Sequence, residues 1–457
     1  MYNISETSFI IDCIQLKVKT IEREEKEKMQ KFMDILESKL MPIGIKLGNN
    51  RYLKAINKSF MIILPLTIFG SMFTLVSSFP VTAWTDWLTK TGLATWLALP
   101  SKLTIDLISL YTVVALGYAF TKEEGYNGFA GGLTALVSFI IVTPLLQITT
   151  NQDVVVTALG FDWLGARGLF VAMIVGCVSS LLFIFFNKKG LTIKMPEGVP
   201  PMVTESFSSL IPMFLVGTIF LVIAYLFSLT SYGSLHSLIY TFVATPLQMV
   251  GGSFAGMIIF TLALHVLWFF GLHGGNIINS ISNPLLLPLA LENLAVYQAG
   301  GAPQYIYTTA FKNTYQFGGA GMTISLCVLM IFIAKSERFK ALGKLALPAN
   351  IFYINEPVTF GTPLVLNTTL IIPFVLAPLI TQIIAYGLTV IGVLPVLIGY
   401  QIPWTMPPII SGFIQGGWRV AVYQVFSLVL TFAIYYPFFK VADKQACLEE
   451  DAIKAEE

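Results

Sequence analysis

Long apolar runs, separated by short polar stretches, dominate this sequence. In the first half, five of these runs are close to the ~20 residues that a helix needs to cross a bilayer. Their apolar residues are continuous and do not alternate with polar ones, which favours helices over the strands of a membrane barrel. The five runs lie at residues 60–79, 103–120, 129–146, 168–186 and 210–229. With later runs at residues 370–397 and 420–439, the pattern predicts an all-α polytopic membrane protein with about eight to eleven spanning or half-spanning helices.

Two stretches of the second half interrupt this apolar pattern. The first, GLHGGNIINSISNPLLLPL from Gly271, is rich in Gly, Asn and Pro, and the second, residues 348–363, contains three prolines and Gly361. Proline breaks the helical hydrogen-bond ladder, and broken backbone at membrane depth is tolerated where it lines a cavity. We therefore expect re-entrant segments near residues 271–290 and 347–367, with a substrate site built between them.

Composition agrees with a membrane protein and excludes several other classes. The 457 residues are 55% hydrophobic and only 11% charged, with a mean hydropathy of +0.76, whereas a soluble domain carries roughly 25% charged residues. The net charge of +2 gives no support to nucleic-acid binding. The four cysteines are far apart, and no Walker, GxSxG or HExxH motif occurs. We therefore expect no metal site, no cofactor and no ATP hydrolysis.

Clusters of basic residues indicate the topology. By the positive-inside rule, the clusters around Lys54, Lys188, Lys340 and Lys440 mark cytoplasmic ends of helices. Both termini are thus expected in the cytoplasm. Residues 1–48 would form a tail with an amphipathic helix at the membrane surface, and residues 441–457 a second tail. Met29 and Met33 are alternative translation starts.

Glu356 is the only residue with a formal charge between Lys344 and Arg419. A carboxylate at membrane depth costs several kcal/mol unless it is paired, protonated or exposed to a water-filled cavity. Its position inside the second interrupted stretch therefore points to a functional site. The alternative is that Glu356 caps a short helix or lies in a surface loop.

The polar residues of the interrupted stretches suit a neutral, polyhydroxylated ligand. Sugars need amide and carboxylate partners for their hydroxyls and an aromatic face for their C–H surfaces. An anionic substrate would instead require Arg or Lys, and neither stretch contains one. The predicted sugar contacts are Trp268, His273, Asn276, Asn279, Asn355, Glu356, Thr359 and Trp404.

Several of these residues also have simpler interpretations. His273 fits a histidine at a helix end, and Trp268 and Trp404 fit aromatic anchors at the membrane interface. Of the other two histidines, His265 lies in an apolar run and is interpreted as a packing residue. His236 is predicted to lie in a loop and to have no role.

Two motifs carry a resemblance to a known family. GLHGGN from Gly271 and INEPVTFGTPLVLN from Ile354 resemble the membrane subunit of bacterial phosphoenolpyruvate-dependent sugar phosphotransferase systems, in particular the enzyme IIC of the lactose, cellobiose and diacetylchitobiose type. The opening FMDILESKLMPIGIKLGNNRYLKAINKSFMIILPLTIFGSMF is similar to the start of that subunit. The resemblance covers residues 31–442.

The resemblance implies a fold of about ten transmembrane helices with two re-entrant hairpins, in a bacterial plasma membrane. Residues 49–231 would form a homodimer, and residues 232–440 would carry the sugar. His273 and Glu356 match the family positions that contact the reactive sugar hydroxyl, and Trp268 and Trp404 correspond to its aromatic sugar contacts.

The resemblance also implies the chemistry. The imported β-linked disaccharide, such as cellobiose or diacetylchitobiose, would be phosphorylated on its 6-hydroxyl by a phosphocysteine of a IIB protein, itself supplied by IIA, HPr and enzyme I. Glu356 would act as general base and His273 would hold the hydroxyl. This chain lacks the Cys-led phosphate-binding loop of a fused IIB domain, and its tails are too short for one, so we expect IIA and IIB to be separate polypeptides. The alternatives are a proton-coupled sugar symporter, in which Glu356 carries the proton, and a channel or receptor with a sugar-shaped pocket.

Overall fold

The computed structural model describes most of the chain and consists almost entirely of helices. The described residues are 38 and 41–456, apart from 80, 150–153, 197, 363 and 365–366. The predicted N-terminal tail therefore lies outside the described residues over 1–37, as does part of the predicted amphipathic helix at 39–40. Residues 41–48 are helical, and Asn50 then caps the first long helix by accepting from the N–H groups of Tyr52 and Leu53.

Besides the helical residues 41–48, the described part of the first half contains eight α-helices and one β-hairpin. The helices are α1 (Arg51–Ser77), α2 (Thr82–Thr91), α3 (Leu93–Thr104), α4 (Ile108–Glu123), α5 (Gly128–Val142), α6 (Phe161–Leu164), α7 (Leu169–Lys188) and α8 (Pro201–Ser228). Glycines let α4 and α5 pack closely, because a Cβ on Gly117 would lie 2.8 Å from the carbonyl oxygen of Gly131. Small residues at such contacts are typical of helix packing in membranes.

The β-hairpin is the only β-structure in the described part of the first half. Strands β1 (Leu145–Thr149) and β2 (Val155–Leu159) pair antiparallel, with Leu145 opposite Leu159. The third apolar run was expected to continue to residue 146, but its helix ends at Val142. The residues that follow are rich in Thr, Ile and Val, whose branched side chains favour strands.

Over the described residues of the second half there are eleven α-helices, several of them short. They are α9 (Leu235–Ile239), α10 (Thr245–Gly251), α11 (Phe254–Phe269), α12 (Gly274–Gln298), α13 (Thr309–Tyr315), α14 (Ile324–Phe332), α15 (Glu337–Ile351), α16 (Glu356–Gly361), α17 (Thr368–Val390), α18 (Ile410–Gly416) and α19 (Trp418–Glu456). The first interrupted stretch contains a turn only at its start, since the chain is helical from Gly274 onward. The second contains a turn at residues 352–355 followed by the six-residue helix α16.

The described helices confirm the prediction of a polytopic membrane protein. Six are long and apolar enough to cross a bilayer, and two further pairs, bent by 71° and 44°, raise the number to eight if each pair is one span. The expected number of about ten stays a prediction. The six are Arg51–Ser77, Leu93–Glu123, Ala166–Lys188, Met202–Ser228, Thr369–Val390 and Trp418–Lys454.

The two halves are joined by hydrogen bonds between polar side chains. Gln298, at the end of α12, donates from Nε2 to Thr74 Oγ1 (2.9 Å) and Ser101 Oγ (3.0 Å) of the first half. The backbone N–H of Gln401 donates to Ser71 Oγ (2.9 Å). These contacts place α12 and the segment before Trp404 against the first half.

The end of α19 holds the beginning of α15. The Asp443 carboxylate accepts from the backbone N–H groups of Lys335 and Ser336, and the Glu450 carboxylate accepts from those of Glu337 and Arg338. Carboxylates at a helix N-terminus satisfy free N–H groups and interact favourably with the helix dipole. The predicted C-terminal tail is therefore helical over its described residues and fixes the base of the helix that leads to Glu356.

Candidate functional site

His273 begins helix α12. The chain leaves α11, turns at Gly271 with φ +73°, and places His273 at the N-cap, where its Nδ1 accepts from the backbone N–H of Asn276 (3.1 Å). An N–H group can only donate, so Nδ1 is the acceptor and the ring proton of a neutral His273 is on Nε2. His273 is exposed and offers this Nε2–H to a ligand. The interpretation as a helix-end histidine is therefore correct, and it leaves one ring nitrogen free.

Trp268 connects the two interrupted stretches. Its side chain is only 4% exposed. Its ring centroid lies 4.5 Å from that of His273 and 6.2 Å from that of Phe360 on α16. Phe360 follows Glu356 by four residues, which places both on one face of α16. Trp268 thus brings His273 and the Glu356-bearing helix into one region.

Amide side chains hold the turn before Glu356. Asn355 is buried and donates from Nδ2 to the carbonyl of Ala320 (2.6 Å) and to Thr323 Oγ1 (3.3 Å). Asn350, also buried, donates from Nδ2 to the same Thr323 oxygen (2.9 Å). Between them Tyr353 has φ +69°, in the left-handed region that is unfavourable for a residue with a side chain. The two amides therefore stabilise a strained turn.

Glu356 is the first residue of α16 and is exposed. Its carboxylate has no hydrogen-bond or ion-pair partner among the described residues. A carboxylate in the first turn of a helix is favoured by the dipole, so the alternative interpretation as a helix-start residue also describes its position. That position leaves both carboxylate oxygens free to accept from a ligand.

The remaining predicted contacts have different surroundings. Thr359 is buried and its hydroxyl donates back to the carbonyl of Asn355 (3.0 Å), so it supports the turn. Asn276 is exposed on the first turn of α12. Trp404 is 46% exposed and lines a cavity together with Tyr353 and Asn313. Tyr353 belongs to the Glu356 turn, so this cavity adjoins the same stretch.

A buried lysine beside Asn279 was missed by the sequence analysis. Lys312 on α13 is 7% exposed, and its Nζ donates to Asn279 Oδ1 (2.8 Å), Ser282 Oγ (3.1 Å) and Asn283 Oδ1 (3.1 Å) on α12. Lys312 is the only formal charge between Glu292 and Lys335, which is the signal that could have drawn attention to it. Because these three acceptors match its three N–H donors, Lys312 has none left for an anionic ligand, and the neutral ligand remains a prediction.

The prediction that His236 lies in a loop is wrong. It is fully buried in α9, with its ring centroid 5.2 Å from that of Phe139 and 5.3 Å from that of Trp163. The apolar neighbours come from distant parts of the first half, which no local pattern reveals. His265 is a packing residue as interpreted, buried with Nδ1 2.6 Å from the carbonyl of Thr261.

Comparison with known proteins bears on this site. Residues 57–378 match the family model of the phosphotransferase system EIIC. The lichenan permease IIC component of Bacillus subtilis (strain 168) is 35% identical over 439 residues, covering 93% of this chain and 97% of that protein. The cellobiose-specific EIIC component of Geobacillus stearothermophilus has the same identity and coverage.

The fold has a counterpart among solved structures. The crystal structure of ChbC, the IIC component of the N,N'-diacetylchitobiose-specific phosphotransferase system, matches with a TM-score of 0.87 at 33% sequence identity. The match covers 91% of this chain and 99% of that one. Sequence, family model and fold agree, and the chain belongs to the EIIC family of the phosphotransferase system, the membrane permease components.

Proposed function

We propose that this permease imports a β-linked disaccharide and presents its 6-hydroxyl for phosphorylation by a IIB protein. The observation that carries the proposal is the packing of Trp268 against both His273 (4.5 Å) and Phe360 (6.2 Å). This packing places an exposed imidazole N–H donor and an exposed carboxylate acceptor at neighbouring turns. A hydroxyl that reacts as a nucleophile needs such a pair, since it must lose a proton while its oxygen stays oriented.

Each residue has a distinct role in the proposed transfer. Glu356 accepts the proton of the 6-hydroxyl. At the same time the sugar O6 bonds to phosphorus, and the S–P bond of the IIB phosphocysteine breaks. His273 donates from Nε2 to the same sugar oxygen and orients it. The phosphorylated sugar is charged and stays inside the cell, so the reaction drives uptake.

The site and the names of the relatives both support the proposed substrate class. Among the described residues of the two turns, no cation faces the site, and the donors of Lys312 are occupied by α12. The relatives carry the names lichenan permease, cellobiose-specific and oligo-beta-mannoside-specific component. All three names denote β-linked glycans, which supports a β-disaccharide for this chain.

The proposed partners are a separate IIB protein and a second copy of this chain. The lactose-specific EIICB component of Lacticaseibacillus casei matches over 92% of this chain and 73% of its own length, and its name joins a IIC to a IIB component, which supports a IIB partner for this chain. We assign the homodimer contact to the first half, residues 49–231, and the sugar to residues 232–440, with both termini in the cytoplasm.

The test is uptake of radiolabelled cellobiose, diacetylchitobiose and lactose into vesicles that hold the protein, with and without phosphorylated IIB. Neutral and phosphorylated sugar inside the vesicles are then separated. Sugar phosphate that appears only with IIB supports the proposal. Neutral sugar that accumulates on a proton gradient without IIB would instead support a proton-coupled symporter.

A further inference from the structure

Lys312 is a cation inside the sugar-binding half without a carboxylate partner among the described residues. Its ammonium is held by one hydroxyl and two amide oxygens, all on α12. A buried ammonium is costly to desolvate, and three hydrogen bonds to α12 offset that cost here. The contact joins α13 to the helix that begins at His273.

The lysine determines which way two amides face. An ammonium only donates, so Asn279 and Asn283 must turn their Oδ1 atoms toward Lys312 and their NH2 groups away from it. Neither NH2 group has a hydrogen-bond partner among the described residues, and both side chains are partly exposed. The NH2 groups of Asn279 and Asn283 are thus left unpaired on α12, within the part of the chain that the structure describes, and their orientation is fixed.

These donors extend the polar face that starts at His273. Asn276, Asn279 and Asn283 are spaced by three and four residues, which places them on one face of α12. From Asn276 to Asn283 this face is about 10 Å long, at 1.5 Å per residue. It is long enough to contact both rings of a disaccharide whose reactive hydroxyl lies at His273.

We propose that Lys312 is a positioning residue for sugar recognition, which orients Asn279 and Asn283 so that their NH2 groups donate to oxygen atoms of the ligand. The inference rests on the proposed function. It gives Asn279, already a predicted sugar contact, the role of a donor, adds Asn283 as a further contact and sets a requirement for the ligand. The ligand must present acceptors along this face, such as hydroxyl, ring, glycosidic or acetamido carbonyl oxygens. The ammonium of an amino sugar offers no acceptor there and is repelled by Lys312.

Asparagine-to-aspartate variants separate recognition from structural support. Asn279→Asp and Asn283→Asp each keep an oxygen on Lys312 and gain an ion pair with it, but lose the NH2 donor. Ser282→Ala is the matched control, because it removes one bond to Lys312 and no amide donor. If the cluster only joins two helices, the aspartate variants bind sugar like the unmodified protein.

The experiment measures equilibrium binding of radiolabelled cellobiose, diacetylchitobiose and lactose to the purified protein without IIB, using the sugar that binds tightest. We expect Asn279→Asp and Asn283→Asp to raise Kd at least tenfold with an unchanged or higher melting temperature, and Ser282→Ala to raise it less than threefold. Aspartate variants that fold and bind within threefold of the unmodified protein would overturn the inference. An unmodified protein that binds none of the sugars would overturn the proposed function instead.

A kinetic measurement tests the positioning role of Lys312 itself. In phosphorylation by phosphorylated IIB, we expect Lys312→Met to raise KM at least tenfold and to leave kcat within threefold. The reason is that the reacting hydroxyl stays with Glu356 and His273. A fall in kcat with an unchanged KM would contradict the proposal. If Lys312→Met does not fold, the same split in KM and kcat is measured on the two aspartate variants.

Discussion

The turns that bear His273 and Glu356 are supported by different kinds of contact. The His273 turn rests on apolar packing and on close backbone approach. Trp268 is buried beneath it, and a Cβ on Gly274 would lie 1.9 Å from the carbonyl oxygen of Leu264. The Glu356 turn rests on the side-chain amides of Asn350 and Asn355, which bind to polar groups of the preceding segment.

Turns supported by hydrogen bonds and turns supported by apolar packing differ in how they tolerate substitutions. Hydrogen bonds are directional and fail when one partner is lost, leaving a buried polar group unsatisfied, whereas apolar packing accommodates substitutions that conserve volume. The Glu356 turn also contains the strained Tyr353. We therefore expect the support of Glu356 to be the more sensitive of the two, although both turns present an exposed group to the same region.

The largest expected effect is on the proposed base. Glu356→Gln keeps the shape of the side chain and one acceptor oxygen but cannot take a proton. We expect phosphorylation to fall at least 100-fold, since general base catalysis contributes roughly 10²–10⁴-fold, with sugar affinity within threefold. Rapid-quench experiments with phosphorylated IIB measure the rate of phosphorylation, and equilibrium binding measures the sugar affinity. Glu205→Gln, at an exposed carboxylate on α8, is the control. Equal loss of binding and transfer would argue against the base role.

The next effect tests the amide support directly. Asn355→Leu leaves the carbonyl of Ala320 without its donor, which costs about 1–3 kcal/mol in a buried site. We expect a lower melting temperature and a loss of uptake of at least tenfold. Thr359→Val removes only a hydroxyl that bonds back to the main chain. It should leave the melting temperature nearly unchanged and lower uptake by less than threefold. Trp268→Phe, at the other turn, should retain more uptake than Asn355→Leu; the reverse order would refute the comparison.

The two roles of His273 can be separated by one substitution. Asparagine is a good N-cap, so His273→Asn should keep the start of α12 and the melting temperature. It lacks a ring N–H at the Nε2 position, and we expect about a tenfold loss of phosphorylation, the effect of one hydrogen bond worth ~1.5 kcal/mol. Thermal unfolding and single-turnover transfer are the measurements. Full activity of this variant would mean that His273 only caps the helix and has no role in the transfer.

The smallest expected effect concerns Trp404. An aromatic face against a sugar contributes about 0.5–1.5 kcal/mol, so Trp404→Leu should weaken sugar binding about fivefold at constant melting temperature. Trp418→Leu, at a tryptophan that is more exposed, serves as the control. If Trp404 is only an interfacial anchor, the two variants will bind sugar equally.

The general architecture could be predicted from the sequence because it depends on local patterns. Continuous apolar runs indicate spanning helices, and clustered Gly and Pro indicate where they break. The turns at His273 and Glu356 follow from such signals. Even so, the length of α12 was not apparent, because the prolines Pro284 and Pro288 lie inside the helix without ending it.

The contacts that hold the site could not be predicted because they are not local. Lys312 follows Asn279 by 33 residues, and Asn355 follows Ala320 by 35. Neither pair shares a helix or a periodic pattern. A charge is visible in a sequence, but its partners are visible only in the fold.

The contact between α19 and α15 connects the C-terminal helix to the site. Asp443 and Glu450 hold the backbone from Lys335 to Arg338, and α15 runs from there to the turn before Glu356. A domain fused after the last helix would therefore be mechanically coupled to the carboxylate through one helix and a few hydrogen bonds. Force applied at the C-terminus would be transmitted along α15 to the Glu356 turn.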